Sequence, residues 1–508
     1  MTPEEFRRHG REVIDWIADY YQGLESLPVL SQVAPGEVLD GLPAGPPERG
    51  QGFEGVLADL ESVIVPGLTH WQHPSFFAFF PANATGPSIL GDLLASGLGL
   101  QGMLWTTSPA ATELETRMLD WLAQLLDLPA GFRSTAAGGG VIQHSASDAV
   151  LVALVAALHR ASGGATETGG VGTGRFSVYT SGQSHSSVEK ACRIAGIGTA
   201  ALRKLDVDPA TLAARPEHLA ELLAADVAAG WMPALVVASV GATGTGALDP
   251  VSELAELAHR YGAWLHVDAA WAGVAAVCEE LRWINAGVEQ ADSYCTNPHK
   301  WLLTNFDCTA FWVADRAALI AALSILPEYL RNTASESGEV FDYRDWQVPL
   351  GRRFRALKLW TVLRWYGAEG LRAHIRGHVA LAQEFASWVA ADPRFELLAP
   401  HPLSLVTFAV AAGAGGDADD ADHAGRRLLA EVNASGRAYL THTQVLGRFA
   451  IRMAIGSVLT ERRHVRAAWQ EISDRLAEAT VADSRATNSR ATGSDAPDSD
   501  AADSGAAD

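Results

Sequence analysis

Apolar positions along this chain keep two spacings, and the elements they predict alternate. Near the start, Thr2-Pro3-Glu4-Glu5 reads as the beginning of a helix whose apolar face is Phe6, Val13, Ile14, Ile17 and Tyr20. A stripe of that kind has to be covered by something. Between Thr107 and Leu126, the positions Ala111, Leu114, Met118, Leu119, Trp121, Leu122 and Leu125 predict another helix, with Ser108-Pro109 near its start. Short apolar runs follow at Val141-Ile142-Gln143, Phe176 to Tyr179, Leu235 to Val240 and Trp264 to Asp268. They alternate with helical stretches, Ala149 to Leu158 and the one opened by Asp249-Pro250, which predicts an α/β fold with a doubly wound, mostly parallel sheet. Ser186 with Glu189 three residues on predicts a capping box.

Punctuation divides the chain. Pro28 to Gly52 is rich in Pro and Gly and reads as a connecting stretch, and Gly163 to Gly174 reads as a loop. From about His378 the pattern becomes helix, two strands (Phe395 to Leu398 and Leu405 to Phe408), helix, strand and helix, a small α+β unit ending at the amphipathic helix Glu461 to Ala479. Beyond Thr480 large apolar residues nearly vanish, and such a segment cannot offset the entropy cost of ordering. Four segments result: an N-terminal helical segment (1–84), a large domain (85–372), a small C-terminal domain (373–480) and a disordered acidic tail (481–508).

Composition narrows the picture. The chain has 508 residues, 48% of them hydrophobic, enough for a large core and too many for one small domain. A formal charge of −21 argues against binding nucleic acid or an anionic membrane through bulk charge. The longest candidate for a membrane span, Ser88 to Trp105, contains Asp92, and spanning needs roughly 18 uncharged residues. Four isolated cysteines, Cys192, Cys278, Cys295 and Cys308, lack metal-ligand spacing and read as reduced thiols, and no apolar signal core follows Glu4 and Glu5. The expectation is a cytoplasmic protein.

Candidate chemistry centres on Thr296-Asn297-Pro298-His299-Lys300-Trp301. Its lysine follows a proline-fixed turn between two apolar segments, and burying an unpaired lysine costs several kcal/mol. Upstream, the strand Trp264 to Asp268 ends in an acid, and ligands bind at the carboxyl ends of strands in open α/β sheets. A lysine to carry the cofactor and an acid to keep its pyridine nitrogen protonated are what pyridoxal phosphate chemistry requires. Ser145-Ala146-Ser147-Asp148 opens the Ala149 to Leu158 helix with small residues and hydroxyls, an anion site. One helix end contributes only about 0.3–2 kcal/mol, so it orients an anion rather than retaining it alone. Each feature has an ordinary reading as well: a snorkelling lysine, a serine-capped helix, a structural histidine at His185, a loop-anchoring aromatic at Tyr329, core packing for the aromatic block His70 to Pro81.

Taken together, Asn297-Pro298-His299-Lys300-Trp301, His266-Val267-Asp268-Ala269-Ala270 and Gly351-Arg352-Arg353-Phe354-Arg355 resemble the aromatic-L-amino-acid decarboxylases, from about Pro3 to about Ala477. These are group II pyridoxal-phosphate decarboxylases of fold type I. The resemblance implies a homodimer whose N-terminal segment lies across the partner. It implies that Lys300 carries the cofactor, that Asp268 pairs with its ring nitrogen, that His185 stacks on the ring and that Tyr329, on a mobile loop, returns a proton. Ser145, Ala146, Ser147, Asn297, His299 and Thr243 become cofactor contacts by the same comparison. Trp71, Phe79, Phe80, Pro81, Ala82 and Gly351 become the substrate pocket, with Gln101 and Met103 reaching it from the partner subunit.

Departures from the family pattern bear on substrate. Phe79 replaces a tyrosine of the animal DOPA enzymes, and Ala82 replaces a threonine able to bond a catechol hydroxyl. An unpaired hydroxyl in a closed pocket costs about 1–3 kcal/mol, so catechols are disfavoured. His144 replaces a glycine, with no role assigned. The implied activity is decarboxylation of aromatic L-amino acids, tryptophan first, with phenylalanine, tyrosine, 5-hydroxytryptophan and DOPA as further substrates. An aromatic aldehyde synthase is the alternative on the same scaffold, and Tyr329 speaks against it because those enzymes usually carry phenylalanine there. An acidic-amino-acid decarboxylase would need a cationic or polar pocket, and a silent binding scaffold would be expected to lack Lys300 or Asp268.

Overall fold

Seven strands form the central sheet of the computed structural model, which describes residues 1–325, 340–412 and 417–492. They are β1 (Gly139–Gln143), β2 (Phe176–Ser181), β3 (Leu202–Leu205), β4 (Met232–Ser239), β5 (Trp264–Asp268), β6 (Ser293–Thr296) and β7 (Thr309–Val313), in the order β1-β7-β6-β5-β4-β2-β3. The β3, β2, β4, β5 and β6 strands run parallel, and β7 is antiparallel to both of its neighbours. The β6–β7 link holds only a four-residue helix, too short for a crossover, so the chain returns alongside in the opposite direction.

Helices cover both faces, which is why the inner strands read as continuous apolar runs. Alternate residues of β4 divide between two cores. Leu235 and Val237 pack with the helix α1 (Ala146–Ala161), while Val236 and Ala238 join Met118 and Leu122 of the helix Pro109–Leu125. The register sets Ser239, Asp268 and Cys295 side by side across β4, β5 and β6. All three therefore mark the carboxyl edge of the parallel strands.

The N-terminal helix Pro3–Gly23 starts where its sequence predicts and is closed by a capping box: Thr2 Oγ1 accepts from Glu5 N at 3.2 Å, and Thr2 N donates to Glu5 Oε2 at 2.6 Å. Of its expected apolar stripe, Phe6 and Ile14 are exposed within one chain, and Val13, Ile17 and Tyr20 are half-buried. A long helix, Arg355–Ala391, broken at Gly367 by a left-handed φ of 61°, crosses the expected domain boundary at 372–373. It leads into a four-stranded antiparallel sheet of order β10-β11-β9-β8, made of β8 (Phe395–Leu397), β9 (Leu405–Val410), β10 (Thr441–Val445) and β11 (Arg448–Ala454).

Three expectations need correction. The last region was expected to hold one strand, and it holds a hairpin, β10–β11, turning at Leu446 and Gly447, both with positive φ. β10 is the polar edge strand Thr-His-Thr-Gln-Val, which carries little apolar signal. The capping box at Ser186 does not form: Ser186 is already helical (φ −60°, ψ −11°), and the Nδ1 of His185 accepts the Ser187 N–H instead, at 3.1 Å. The C-terminal helix Arg462–Thr492 runs past Ala479 through residues expected to be disordered. No proline or glycine interrupts that stretch before Gly493. Among the described residues, no single helix is long and apolar enough to cross a membrane.

Candidate active site

Lys300 sits on the short helix Pro298–Trp301, which starts one residue after β6 ends. Asn297 precedes it with extended backbone (φ −108°, ψ 95°), and Pro298 takes the first helical position, where a missing N–H costs nothing. The turn is fixed from both sides. Asn83 Nδ2 donates to the carbonyl of Lys300 and, at 2.7 Å, to that of Gly456, while Asn297 Oδ1 accepts from Thr309 Oγ1 at 2.9 Å. The amine of Lys300 has no hydrogen-bond or ion-pair partner among the described residues. Burial lowers its pKa below the usual lysine range, Arg452 adding to that and Asp268 and Cys295 opposing it.

Asp268, at the end of β5, is 9% exposed; its Oδ1 accepts from Ala270 N at 3.1 Å and from Cys295 Sγ at 3.8 Å. Behind it His266 is wholly buried, its Nδ1 2.8 Å from Ser293 Oγ, and burial pushes its pKa down to about 4. His185 follows β2. Burial lowers its pKa below the ordinary histidine value, with Asp268 opposing and Lys300 adding, so the ring is neutral near pH 7. Because Nδ1 accepts the Ser187 N–H, the ring proton is on Nε2.

A cavity of about 750 Å³ joins Lys300 and His185. Lys300, His185, Thr243 and His299 line it together with Trp71, Phe79, Phe80 and Ala82, so these expected cofactor and substrate residues meet in one space, whereas Asp268, Ser145, Ala146, Ser147 and Asn297 are not among the residues that line it. Phe80 stacks on Trp271 at 4.7 Å, and Phe79 on Trp71 at 5.5 Å. A Cβ on Gly456 would come within 2.8 Å of the Phe80 ring, so a glycine is required beneath it. His299 is held by Cys308 N, which donates to its Nδ1 at 3.0 Å, and burial pushes its pKa down to about 3.

Other expected residues lie elsewhere. Pro81 is buried behind the wall, against the position of Gly456, rather than lining the cavity. Gln101, Met103 and Gly351 do not line it within one chain. Gln101 Oε1 accepts from Arg352 N at 2.5 Å, a Cβ on Gly351 would lie 3.2 Å from Gln101 Nε2, and the Met103 carbonyl accepts from Arg344 N at 3.2 Å. The surrounding Gly351-Arg352-Arg353-Phe354-Arg355 motif is structural in this chain: Arg352 makes a buried two-pronged pair with Glu115 at 2.6 and 3.0 Å, and Arg355 pairs with Asp307 at 3.0 Å. Tyr329 lies outside the described residues.

Sequence reasoning missed Asn83, Trp271 and Arg452. Trp271, three residues past Asp268, donates its Nε1–H to the Gly241 carbonyl at 2.6 Å and so holds the β4 exit loop that carries Thr243. Arg452 interrupts the apolar strand Phe449-Ala450-Ile451-Arg452-Met453-Ala454, and that lone charge was the available signal. Phe79 has a left-handed φ of 53°, a conformation that costs an ordinary residue about 1–3 kcal/mol.

This set of groups fits pyridoxal phosphate. An unpartnered amine of lowered pKa faces a roomy cavity, an acid lies beside it at a strand end, and a neutral imidazole shares the space. For the phosphate, Ser145 caps α1 with Ala146 and Ser147 in its first turn, and β1 register places Gln143 opposite Thr309, the partner of Asn297.

Residues 35–411 match the pyridoxal-dependent decarboxylase conserved domain. A phenylacetaldehyde synthase of Arabidopsis thaliana is 47% identical over 475 residues, covering 93% of this chain and 96% of that protein. Tryptophan decarboxylase 2 of Oryza sativa subsp. japonica is 45% identical over 480 residues, covering 93% and 95%. Among solved structures, Oryza sativa TDC with PLP and tryptamine superposes with a TM-score of 0.92 at 45% identity, covering 94% of this chain and 99% of that one. The lysine turn, the acid at the strand end and the extent of these matches lead to one conclusion: the chain belongs to the pyridoxal-dependent decarboxylase family, and its cofactor is pyridoxal phosphate.

Proposed function

We propose that this protein removes the carboxyl group of aromatic L-amino acids to give arylalkylamines and CO2, with tryptophan as the first substrate. The observation that carries this is the wall of Trp71, Phe79, Phe80 and Trp271 around Lys300, which suits a flat apolar side chain; the one guanidinium in the lining, Arg452, is engaged by backbone carbonyls and Thr441. Relatives named tryptophan decarboxylase and tyrosine decarboxylase at 44–46% identity support it.

Lys300 would hold the cofactor and Asp268 would keep the proton on its ring nitrogen; Ser145, Ala146, Ser147 and Asn297 would contact its phosphate. When bound, the cofactor supplies an electron sink for the pair released as the Cα–carboxylate bond breaks. Trp71 and Phe79 orient the aromatic side chain, and positioning of this kind is worth several kcal/mol. His185, with its proton on Nε2, is the neutral donor that faces the cavity. We assign return of a proton to Cα to Tyr329 on the sequence alone.

A second reading, an aromatic aldehyde synthase, is favoured by the 47% identity to phenylacetaldehyde synthase. Tyr329, where such enzymes usually carry phenylalanine, supports amine formation instead. We also propose a homodimer, supported by the exposed Phe6 and Ile14 of the N-terminal helix, and a cytoplasmic location, supported by four buried cysteines that form no disulfide. Steady-state turnover with L-tryptophan, L-phenylalanine, L-tyrosine and L-glutamate tests the substrate class. Turnover of the aromatic amino acids and none of glutamate is expected; glutamate alone would overturn it.

A further inference from the structure

We propose that Arg452 and Thr441, both on the hairpin of the small sheet, are positioning residues that fix the substrate wall and the cofactor loop in one geometry and thereby set selectivity among aromatic side chains. The proposal rests on the aromatic decarboxylase reading. Arg452 is 4% exposed and has no carboxylate partner among the described residues. A buried guanidinium without a counter-charge is destabilising compared with an apolar residue, so its presence in an otherwise apolar strand needs a reason.

Its bonds supply one. Nε donates to the Gly244 carbonyl at 3.1 Å, one terminal nitrogen donates to Thr441 Oγ1 at 2.8 Å, and the other donates to the carbonyls of Phe79 at 2.9 Å and Thr243 at 2.6 Å. Three segments far apart in the chain are tied by one planar fork, a task that a point-charge ammonium cannot perform. Thr243 and Phe79 both line the cavity, one on the cofactor side and one on the substrate side.

Phe79 is held at both of its peptide groups. Its carbonyl accepts from Arg452, and its N–H donates to Thr441 Oγ1 at 3.2 Å. The threonine hydroxyl thus accepts from Phe79 and Arg452 at once, using both lone pairs. Phe79 needs such a clamp because its φ of 53° is in the left-handed region, which a residue with a side chain leaves unless its surroundings hold it there. Released, the backbone would relax to an extended form and the ring would leave Trp71.

The test uses full-length enzyme with added pyridoxal phosphate and the variants Thr441→Val, Thr441→Ser, Arg452→Lys and Arg452→Met. Values of kcat and KM are measured separately for L-tryptophan, L-phenylalanine and L-tyrosine, and cofactor affinity is followed by visible absorbance. Thr441→Val, which keeps volume and charge but removes the acceptor, is expected to change the tryptophan-to-phenylalanine ratio of kcat/KM by about fivefold, mainly through KM. Thr441→Ser is expected to restore the parent ratio to within about twofold. Arg452→Met and Arg452→Lys should lose selectivity and, through Thr243, weaken cofactor binding by about tenfold. If the Arg452 variants fail to fold, the Thr441 pair still decides. An unchanged ratio in Thr441→Val, or an equal fall in kcat for every substrate, would overturn the proposal. No turnover of any aromatic amino acid by the parent enzyme would overturn both this and the reading beneath it.

Discussion

Lys300 carries an amine without a partner among the described residues, inside a cavity wall, so it lowers stability while it enables chemistry. Lys300→Met is accordingly expected to abolish turnover and cofactor-dependent visible absorbance while raising the melting temperature of the cofactor-free protein; a lower melting temperature would show that the lysine is structural. Ala82 lines the cavity without a side-chain hydroxyl. Ala82→Thr is expected to raise kcat/KM for DOPA relative to tryptophan by about tenfold, the value of one satisfied hydroxyl. An unchanged ratio would show that position 82 does not meet the catechol. At this scale the sequence was most legible where chemistry is local: Lys300 and Asp268 each stand at the end of a strand readable from its own apolar run. Arg452 and Asn83 were hidden because their partners are backbone carbonyls of distant segments, and no spacing rule reports those.

Elements were legible in proportion to their burial. β5, wholly buried, matched its apolar run and β4, buried from Pro233 on, contained most of its own, whereas the edge strand β10 went unseen and the helix after His185 is capped by an imidazole instead of its serine. The helix Gly86–Leu98 shows what burial within one chain leaves over. Leu90, Leu93, Leu94 and Leu98 form a face at helical spacing and are 49%, 50%, 57% and 63% exposed. Such a face on a helix leading to Gln101 and Met103 is where we place the partner subunit. Leu94→Glu is expected to shift the protein from dimer to monomer in light scattering and to cost most of its activity. A fully active dimeric variant would remove this helix from the interface.

Across the whole molecule, the class of fold followed from alternating strand and helix and most of the site residues from the family resemblance, while Gln101, Met103 and Gly351 do not line the cavity within one chain. The buried histidines give the molecule a pH dependence. Unfolded histidines take up a proton below about pH 6.5. In the fold, burial pushes His73, His266 and His374 down to about 4. Between those values the unfolded chain binds more protons, so stability falls as pH is lowered from 6.5 towards 4. Asp249 works against this: burial pushes its pKa up to about 6, so its contribution is lost as pH rises towards 6. The three histidines outnumber it, and the melting temperature is expected to fall steadily below pH 6.5. His266→Gln should make the acid limb shallower by about 1.4 kcal/mol per pH unit. An unaltered slope would mean that His266 is protonated in the fold.

Amine formation is what separates this enzyme from an aldehyde synthase, and the partition of its products distinguishes the two. Purified protein with pyridoxal phosphate and L-tryptophan would be followed for CO2, tryptamine, indole-3-acetaldehyde and hydrogen peroxide together. CO2 and tryptamine in equal amounts, with DOPA a poorer substrate than tryptophan, is the predicted result. Aldehyde and peroxide in place of amine would contradict it.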